Sequence, residues 1–300
     1  MDARTGLIVV NYNSHTMLAE HLVRTSADGG ATVVVVDNPS TAAEREAVSA
    51  LGARERWQVV LSDRNGGFGA GVNAGARRAR ELGCDVLVLL QPDQEVDRAT
   101  VEALVEQVRS DRTLVVSPVI VRPDGRPWFT GGSLDLRTGR ARPAGEVAGM
   151  VPWISTACLA LDAELFTRSG GFDEDYFLYW EDVDLSWRLR QSGARFVVRH
   201  DLTATHDVGG TQETSDPRAK SLVYYRYVCR GRLLFAAKHL DRATRRRWAL
   251  SAGGAAREVV LRGGRRQLLR SLAPVMAAAR GTLDGLSELR RRPVAERPTL

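Results

Sequence analysis

Cysteine is scarce in this 300-residue chain, and what there is does not suit pairing. Cys84, Cys158 and Cys229 are odd in number, widely spaced and without a CxxC, which argues against a disulfide framework or a zinc knuckle and for a reducing cytoplasm. Long apolar runs are missing as well. No window approaches eighteen uninterrupted apolar residues, so the sequence predicts no membrane span. The opening MDARTGLIVVNYNS has two early charges and a four-residue apolar run before Asn11, which reads as a first strand and not as a signal peptide. No glycine cluster is followed by Gly-Lys-Ser/Thr, so there is no P-loop. No internal repeat is present.

Acidic residues thin out toward the C-terminus. From Arg226 onward seventeen Arg and one Lys stand against five acids, a net of +13, whereas residues 1 to 225 carry −7. The overall +6 is a mildly acidic body with a strongly basic tail. A composition of 44% hydrophobic and 26% charged residues is that of a globular chain with a sizeable core, organised as one large domain with an appendage or as two domains.

What is present is an alternation of strands and helices. GLIVVNY (6–12) and ATVVVVDN (31–38) are short β-branched runs suited to strands buried on both faces, and SHTMLAEHLVRTSA between them is an amphipathic helix with Ser14 as its N-cap. This is a βαβ unit. The pattern predicts a helix over 42–51, a strand at 57–62, a helix through VNAGARRARELG, a strand over 84–93 and a helix over 97–110. A mostly parallel sheet with helices on both faces follows, its ligands at the carboxyl ends of the strands. Residues 122–145 carry turn dipeptides and short alternating runs, suggesting hairpins or a long surface loop. Beyond Pro217 the chain is helical and Arg-rich, so a boundary is expected near 215, between a domain over 1–215 and a basic helical extension over 216–300.

Polar residues close three strands: Asn11, Tyr12 and Asn13; Asp37 and Asn38; Gln91, Pro92 and Asp93. An Asp after a strand is most often a cap or turn residue. Three such tips converging on one crevice are less readily explained that way. RNGGFGAGVNAG (64–75) has five glycines in twelve residues, which lets the backbone bend and its N–H groups approach a ligand. It follows the third strand, with no suitable acid downstream, and so is no dinucleotide fingerprint. YFLYWEDVDLSWRLRQSG (176–193) sets Glu181, Asp182 and Asp184 in the first turn of a helix that ends before Gly193. Acids there are favoured by the helix dipole for structural reasons alone.

Taken in order, VVNYNS, VVVVDNPST, NGGFGAGVNAG, VLLQPDQE, GGFDEDYFLYWEDVDLSWRLRQSG and ATHDVGGT resemble the family 2 glycosyltransferases with the GT-A fold, particularly the rhamnosyltransferase-like bacterial branch. The resemblance covers about residues 6 to 235. It implies an inverting enzyme that moves a hexosyl group from a dTDP- or UDP-linked sugar to an acceptor hydroxyl. Carried over position by position, Asp182 is the general base and Glu181 its neighbour; Asp184 lies on another face and reads as structural. Val10, Tyr12, Asp37, Asn65, Gly69, Asn73 and Gln91 fall where the family binds the nucleotide sugar. Asp93 and His206 fall where it holds Mg²⁺ or Mn²⁺. Tyr179 and Trp180 are a platform for an acceptor sugar or part of the core. Gln91 stands where this branch more often has Asn, Val72 where a second Asn is common, and Pro39 where a small residue follows Asp-Asn. These departures leave the donor base and sugar open.

The acceptor is a lipid-linked saccharide, another glycan or a small molecule. The basic tail (245–292) has two readings: an amphipathic segment on an anionic membrane surface, or a solvated helical appendage or oligomer contact. One Trp, no stacking array and no RNA- or DNA-binding motif argue against nucleic acid. Two rival readings of the whole remain. A sugar-nucleotide nucleotidyltransferase would open with a glycine-rich, basic loop after the first strand, where NYNSHTML has none. A catalytically idle binding module would not need Asp93, Asp182 and His206 together.

Overall fold

The computed structural model describes residues 4–26, 30–143, 150–206 and 220–294. The apolar runs of the sequence form its central strands. β1 (Arg4–Asn11), β2 (Ala31–Asp37), β3 (Gln58–Leu61) and β4 (Cys84–Leu90) pair in parallel, in the spatial order β3-β2-β1-β4. Leu7 to Val10, Val33 to Val36 and Val86 to Leu90 are all buried, as a sheet covered on both faces requires. Helix Phe68–Glu81 covers the face of Ile8 and Val10. Its Gly71 and Gly75 sit so close to the sheet that an added Cβ would come within 2.7 Å of Val10 and 2.5 Å of Ile8. The other face meets helix Arg98–Ser110, whose Val101 and Val105 line a cavity with Thr5 and Leu7.

The chain continues through β5 (Gln94–Glu95), β6 (Leu114–Val121), β7 (Pro127–Phe129), β8 (Gly132–Asp135), β9 (Arg140–Pro143), β10 (Met150–Trp153), β11 (Cys158–Asp162) and β12 (Arg195–His206). β11 enters the main sheet antiparallel, between β4 and β6, and β12 runs parallel to β6 before its last residues pair with β5. β10, β8 and β9 form a separate antiparallel sheet, so part of the 122–145 stretch is indeed hairpin. The strand order reverses between β1 and β4. In a sheet of this kind that reversal opens a crevice at the carboxyl ends of the two strands, where Asn11 and Gln91 lie.

From Ser221 on, the described residues are helical: Leu222–His239, Arg242–Leu250, Ala252–Leu261, Arg266–Arg270 and Ala273–Arg291. The boundary expected near 215 lies outside the described residues. The helices beyond it do not stand apart from the body. Tyr176, Val183 and Trp187 share a buried cluster with Leu233, Phe235 and Trp248. Arg232, also buried, donates to the carbonyls of Thr138, Gly139 and Trp248 and lies 4.7 Å over the Trp248 ring. Trp248 Nε1 donates to the Leu136 carbonyl at 2.8 Å, tying the small sheet to the tail. Cys84, Cys158 and Cys229 are buried free thiols. Among the described residues no helix is long and apolar enough to cross a membrane.

Candidate active site

Asn11, at the end of β1, is fully buried and organises the first strand tips. Its Nδ2 donates to Asp37 Oδ1 at 2.8 Å and to Glu44 Oε1 at 3.2 Å, and its Oδ1 accepts from Ser14. Glu44 accepts in turn from the His15 backbone at 2.8 Å and pairs with its ring at 2.5 Å. Burial alone would raise the Glu44 carboxyl, but hydrogen bonds from His15 and Asn11 outweigh it and hold the group below its usual range. The sequence reading missed Glu44. Thr41 and Glu44 spell a capping box, and Thr41 does accept from the Glu44 N–H at 3.1 Å. The carboxylate, however, reaches away from that helix to support Asn11. Asp37 is fully buried too, and its Oδ2 has no partner among the described residues. Tyr12, one residue past the Asn11 that pairs with Asp37, is 51% exposed.

The glycine loop does something other than cradle a ligand along its whole length. Only Gly67 takes a positive φ, 89°, with its α-carbon so near the Phe177 carbonyl that a Cβ would fall 2.0 Å from that oxygen. Asn65 Oδ1 accepts from the Gly67 N–H at 2.9 Å, and Asn38 Nδ2 donates to the Gly67 carbonyl at 2.9 Å. Gly69 is buried, leaving room for Phe172. The Asn73 carboxamide is committed as well: it donates to the Phe172 carbonyl at 2.9 Å and to Glu174 at 3.1 Å, and accepts from the Phe172 N–H at 2.8 Å. Val10 is buried against Gly71, so only its backbone could face the crevice. Gln91 is partly buried, and its N–H donates to the Ala157 carbonyl at 3.0 Å.

Asp93 and His206, 113 positions apart in the chain, meet. His206 Nε2 lies 3.1 Å from Asp93 Oδ2, both residues are buried, and His206 Nδ1 has no partner among the described residues. The pairing of β12 with β5 brings them together, with His206 opposite Gln94. Trp128, on β7, sets its ring edge-on to His206 at 4.5 Å between centroids. Nothing in the local sequence RPWF marks this tryptophan, because the contact depends on long-range strand order. Among the described residues no third His, Cys, Asp or Glu joins the pair. One carboxylate and one imidazole, with positions left for phosphate oxygens, is nonetheless a donor set that fits a divalent cation on a diphosphate.

The acidic turn is built under strain. Tyr179 and Trp180 both have positive φ, 64° and 73°, and Trp180 is the N-terminal flank of helix Glu181–Gln191. Such conformations each cost about 1–3 kcal/mol and persist where the surroundings enforce them. Here the enforcement comes from the tail. Trp180 packs on Phe235 at 5.8 Å and Trp248 at 6.1 Å, Tyr179 sets edge-on to Tyr224 at 5.2 Å, and Gly231 leaves just enough room beneath both. Trp180 is therefore a packing residue on its tail side.

Glu181 is buried, with Oε2 unpartnered among the described residues. Asp182 is half-buried and accepts from the Val183 N–H at 2.8 Å. Burial first, then the neighbouring Asp182 charge, pushes Glu181 well above the carboxylate range. Burial also raises Asp182, though less, since the Val183 N–H works against it. Asp184 behaves differently. It is fully buried, yet Arg188 Nε at 2.7 Å and His239 Nε2 at 2.6 Å outweigh burial and hold it low. It is a structural link between the acidic helix and the tail. The segment after β10 connects this helix to the crevice: Ile154 N–H donates to Ser186 Oγ at 3.1 Å, and three residues later Ala157 accepts from Gln91.

Comparisons with known proteins bear on the family and the fold. Residues 7–166 match the family model described as glycosyl transferase family 2. The chain is 25% identical over 225 residues to the N-acetylglucosaminyl-diphospho-decaprenol L-rhamnosyltransferase of Mycobacterium tuberculosis, covering 62% of this chain and 70% of that one. It is 26% identical over 217 residues to the low-salt glycan biosynthesis hexosyltransferase Agl10 of Haloferax volcanii, covering 67% and 66%. Among solved structures, the mannosyltransferase PcManGT from Pyrobaculum calidifontis, in complex with GDP-Man and Mn²⁺, superposes with a TM-score of 0.55 at 17% identity, over 96% of this chain and 87% of that one. GalNAc-T7 with UDP, GalNAc and Mn²⁺ gives 0.53 at 15% identity, over 78% of this chain and 50% of that one. The fold is thus a GT-A-like α/β sheet with a C-terminal helical region. With the family model spanning more than half its length, the chain belongs to glycosyl transferase family 2 and is a glycosyltransferase.

Proposed function

We propose that this glycosyltransferase moves a hexosyl group, with rhamnosyl the first to test, from a dTDP- or UDP-linked sugar to an acceptor hydroxyl, with inversion and with the help of a divalent cation. The observation that carries the proposal is that the buried polar atoms without partners among the described residues include Asp37 Oδ2, Glu181 Oε2 and His206 Nδ1, one in each of the three segments that the family reading assigns to nucleoside, proton transfer and metal. Buried polar groups without partners are rare in folded chains and ask for a ligand or a chemical role.

Asp37 Oδ2 accepts an N–H of the donor base, and the exposed Tyr12 at the end of the neighbouring strand packs on that base. The backbone at Val10, Asn65 and Gln91 lines the rest of the donor crevice. Asp93 and His206 hold Mg²⁺ or Mn²⁺, which when bound neutralises charge on the diphosphate leaving group. Asp182 takes the proton of the acceptor hydroxyl as that oxygen bonds to the anomeric carbon and the bond from carbon to the diphosphate oxygen breaks on the opposite face. Burial and the neighbouring charge push Glu181 further up than Asp182, so Asp182 is the one of the two assigned to accept the proton. Tyr179 receives the acceptor, for which a lipid-linked saccharide is favoured by the similarity to the N-acetylglucosaminyl-diphospho-decaprenol L-rhamnosyltransferase of Mycobacterium tuberculosis.

A panel of dTDP- and UDP-sugars, assayed for release of nucleoside diphosphate with Mn²⁺ and with EDTA, tests this reading. One donor should stand out, the reaction should stop in EDTA, and the product anomer should be inverted. Equal turnover in EDTA, or a retained anomer, would overturn it.

A further inference from the structure

Helix Ala273–Arg291 and its N-cap leave a run of large apolar side chains outside the core. Its buried residues are small: Pro274, Ala278, Gly281 and Gly285. A Cβ at Gly281 would fall 1.9 Å from the Arg226 carbonyl oxygen, and one at Gly285 would fall 2.7 Å from Leu233 Cβ, so the helix lies tight against Leu222–His239. Of its large apolar residues Leu286 and Leu289 pack on the core, whereas those nearer the N-terminus and at the N-cap are exposed. Leu272, Met276 and Leu283 are 67%, 66% and 67% exposed, and spacings of four and seven put them on one stripe with Ala279. Leu269, in the turn before, is 89% exposed.

The charges around this stripe are of one sign. Arg265, Arg266, Arg270 and Arg290 are exposed and make no ion pair among the described residues. The nearby acids are already engaged: Asp284 with Arg226, Glu288 with Arg230 and Arg292, and Glu258 with Arg140. The surface therefore pairs exposed leucine and methionine with uncompensated arginine. A second copy of the same face would bring arginines against arginines. An anionic surface that also admits apolar side chains has the complementary chemistry.

We propose that this face docks on an anionic lipid bilayer, with Leu272, Met276 and Leu283 entering the headgroup boundary and the flanking arginines meeting lipid phosphates. The inference rests on the surface alone and stands apart from the transfer reaction. Any basic protein adheres somewhat to anionic vesicles, so the test must remove apolar contact without changing charge.

The full chain is sedimented with vesicles of phosphatidylglycerol and phosphatidylcholine, and with phosphatidylcholine alone, near 0.1 M salt. Wild type should pellet with the anionic vesicles only and be released as salt rises, since charges are screened within about 10 Å at that ionic strength. The triple variant Leu272→Ser, Met276→Ser, Leu283→Ser keeps the net charge and should lower the partition coefficient at least about tenfold. Binding of the triple variant equal to wild type would overturn the proposal, leaving charge alone. So would light scattering that shows a wild-type dimer split by the triple variant, since a second copy would then own the face. Should the triple variant unfold, Met276→Cys carrying an environment-sensitive dye serves instead, the native thiols being buried. Its emission should rise with anionic vesicles, and an unchanged spectrum would equally overturn the proposal.

Discussion

The two acid sites of the molecule are built by opposite means. Asp93 sits at a strand end, facing His206 across a pairing of β12 with β5, and each of the two buried groups has the other as partner. Glu181 and Asp182 sit at the start of a helix, after two residues with positive φ, and no cation partners them among the described residues. The sheet supports the first, whereas the second depends on aromatic packing from helices some fifty residues further on. A carboxylate beside an imidazole suits an ion, and a carboxylate left to a desolvated neighbour suits a proton. Asp184, two residues on, shows what a cation would have done: with His239 and Arg188 against it, its pKa is lowered, it stays ionised and it becomes a strut.

The largest effect expected from disturbing this contrast is at Asp182. Asp182→Asn keeps the shape and removes the proton acceptor, so kcat should fall by about 10²- to 10⁴-fold. Turnover within a few-fold of wild type would move the base elsewhere, Glu181 first. The pH profile of the wild type should show an acid limb near 6, where burial holds Asp182, and rate should rise with pH through it.

Asp93→Ala comes next. It should weaken nucleoside diphosphate binding in Mn²⁺ and abolish stimulation by the ion, with little effect on binding in EDTA. A variant still stimulated by Mn²⁺ would detach the metal from this pair.

A change in the tail should touch only the proton site. At Gly231 an added Cβ would lie 2.8 Å from Trp180 Cβ and 2.9 Å from the Tyr179 carbonyl oxygen, so Gly231→Ala should displace the strained turn. We expect kcat to drop roughly tenfold with the donor KM unchanged, because small displacements of a reacting group are costly. An equal rise in donor KM would mean that the two sites are not separately supported.

The smallest effect is on stability. Glu181 has a folded value raised to about 8, so the stability it contributes is full below the ordinary carboxylate range near 4 and is lost as pH rises through that folded value. Glu181→Gln does not titrate, and its Tm relative to wild type should climb between pH 5 and pH 9, by roughly 2–4 °C for each kcal/mol recovered. A constant difference across that range would place the raised pKa elsewhere.

Legibility in the sequence follows the same division. The runs LIVV, VVVVD and VLVLL announce two-sided strands, and their polar ends mark where Asn11, Asp37 and Gln91 would gather, because that information is local. Asp93 and His206 could be paired only through the ordered resemblance of motifs, since strand order brings them together. Glycines 69, 71 and 75 read as ligand-approach positions but serve packing, and a glycine by itself does not say which neighbour needs the space. Trp180 could have been core or platform, and the choice depended on Phe235 and Trp248. The basic tail concealed the most. Its charge suggested a membrane-surface segment, a solvated appendage or an oligomer contact, while Arg232, buried between backbone carbonyls and Trp248, belongs to the interior.

The separation of the two acid sites is tested most directly by calorimetric titration of dTDP and UDP into Asp182→Asn and Asp93→Ala in the presence of Mn²⁺, beside single-turnover transfer by each. Asp182→Asn should bind the tighter nucleotide within about twofold of wild type and fail in transfer, as expected of a group that acts only in the transition state, while Asp93→Ala loses the affinity itself. A loss of nucleotide affinity in Asp182→Asn as large as in Asp93→Ala would contradict the separation, and with it the assignment of Asp182 to the proton.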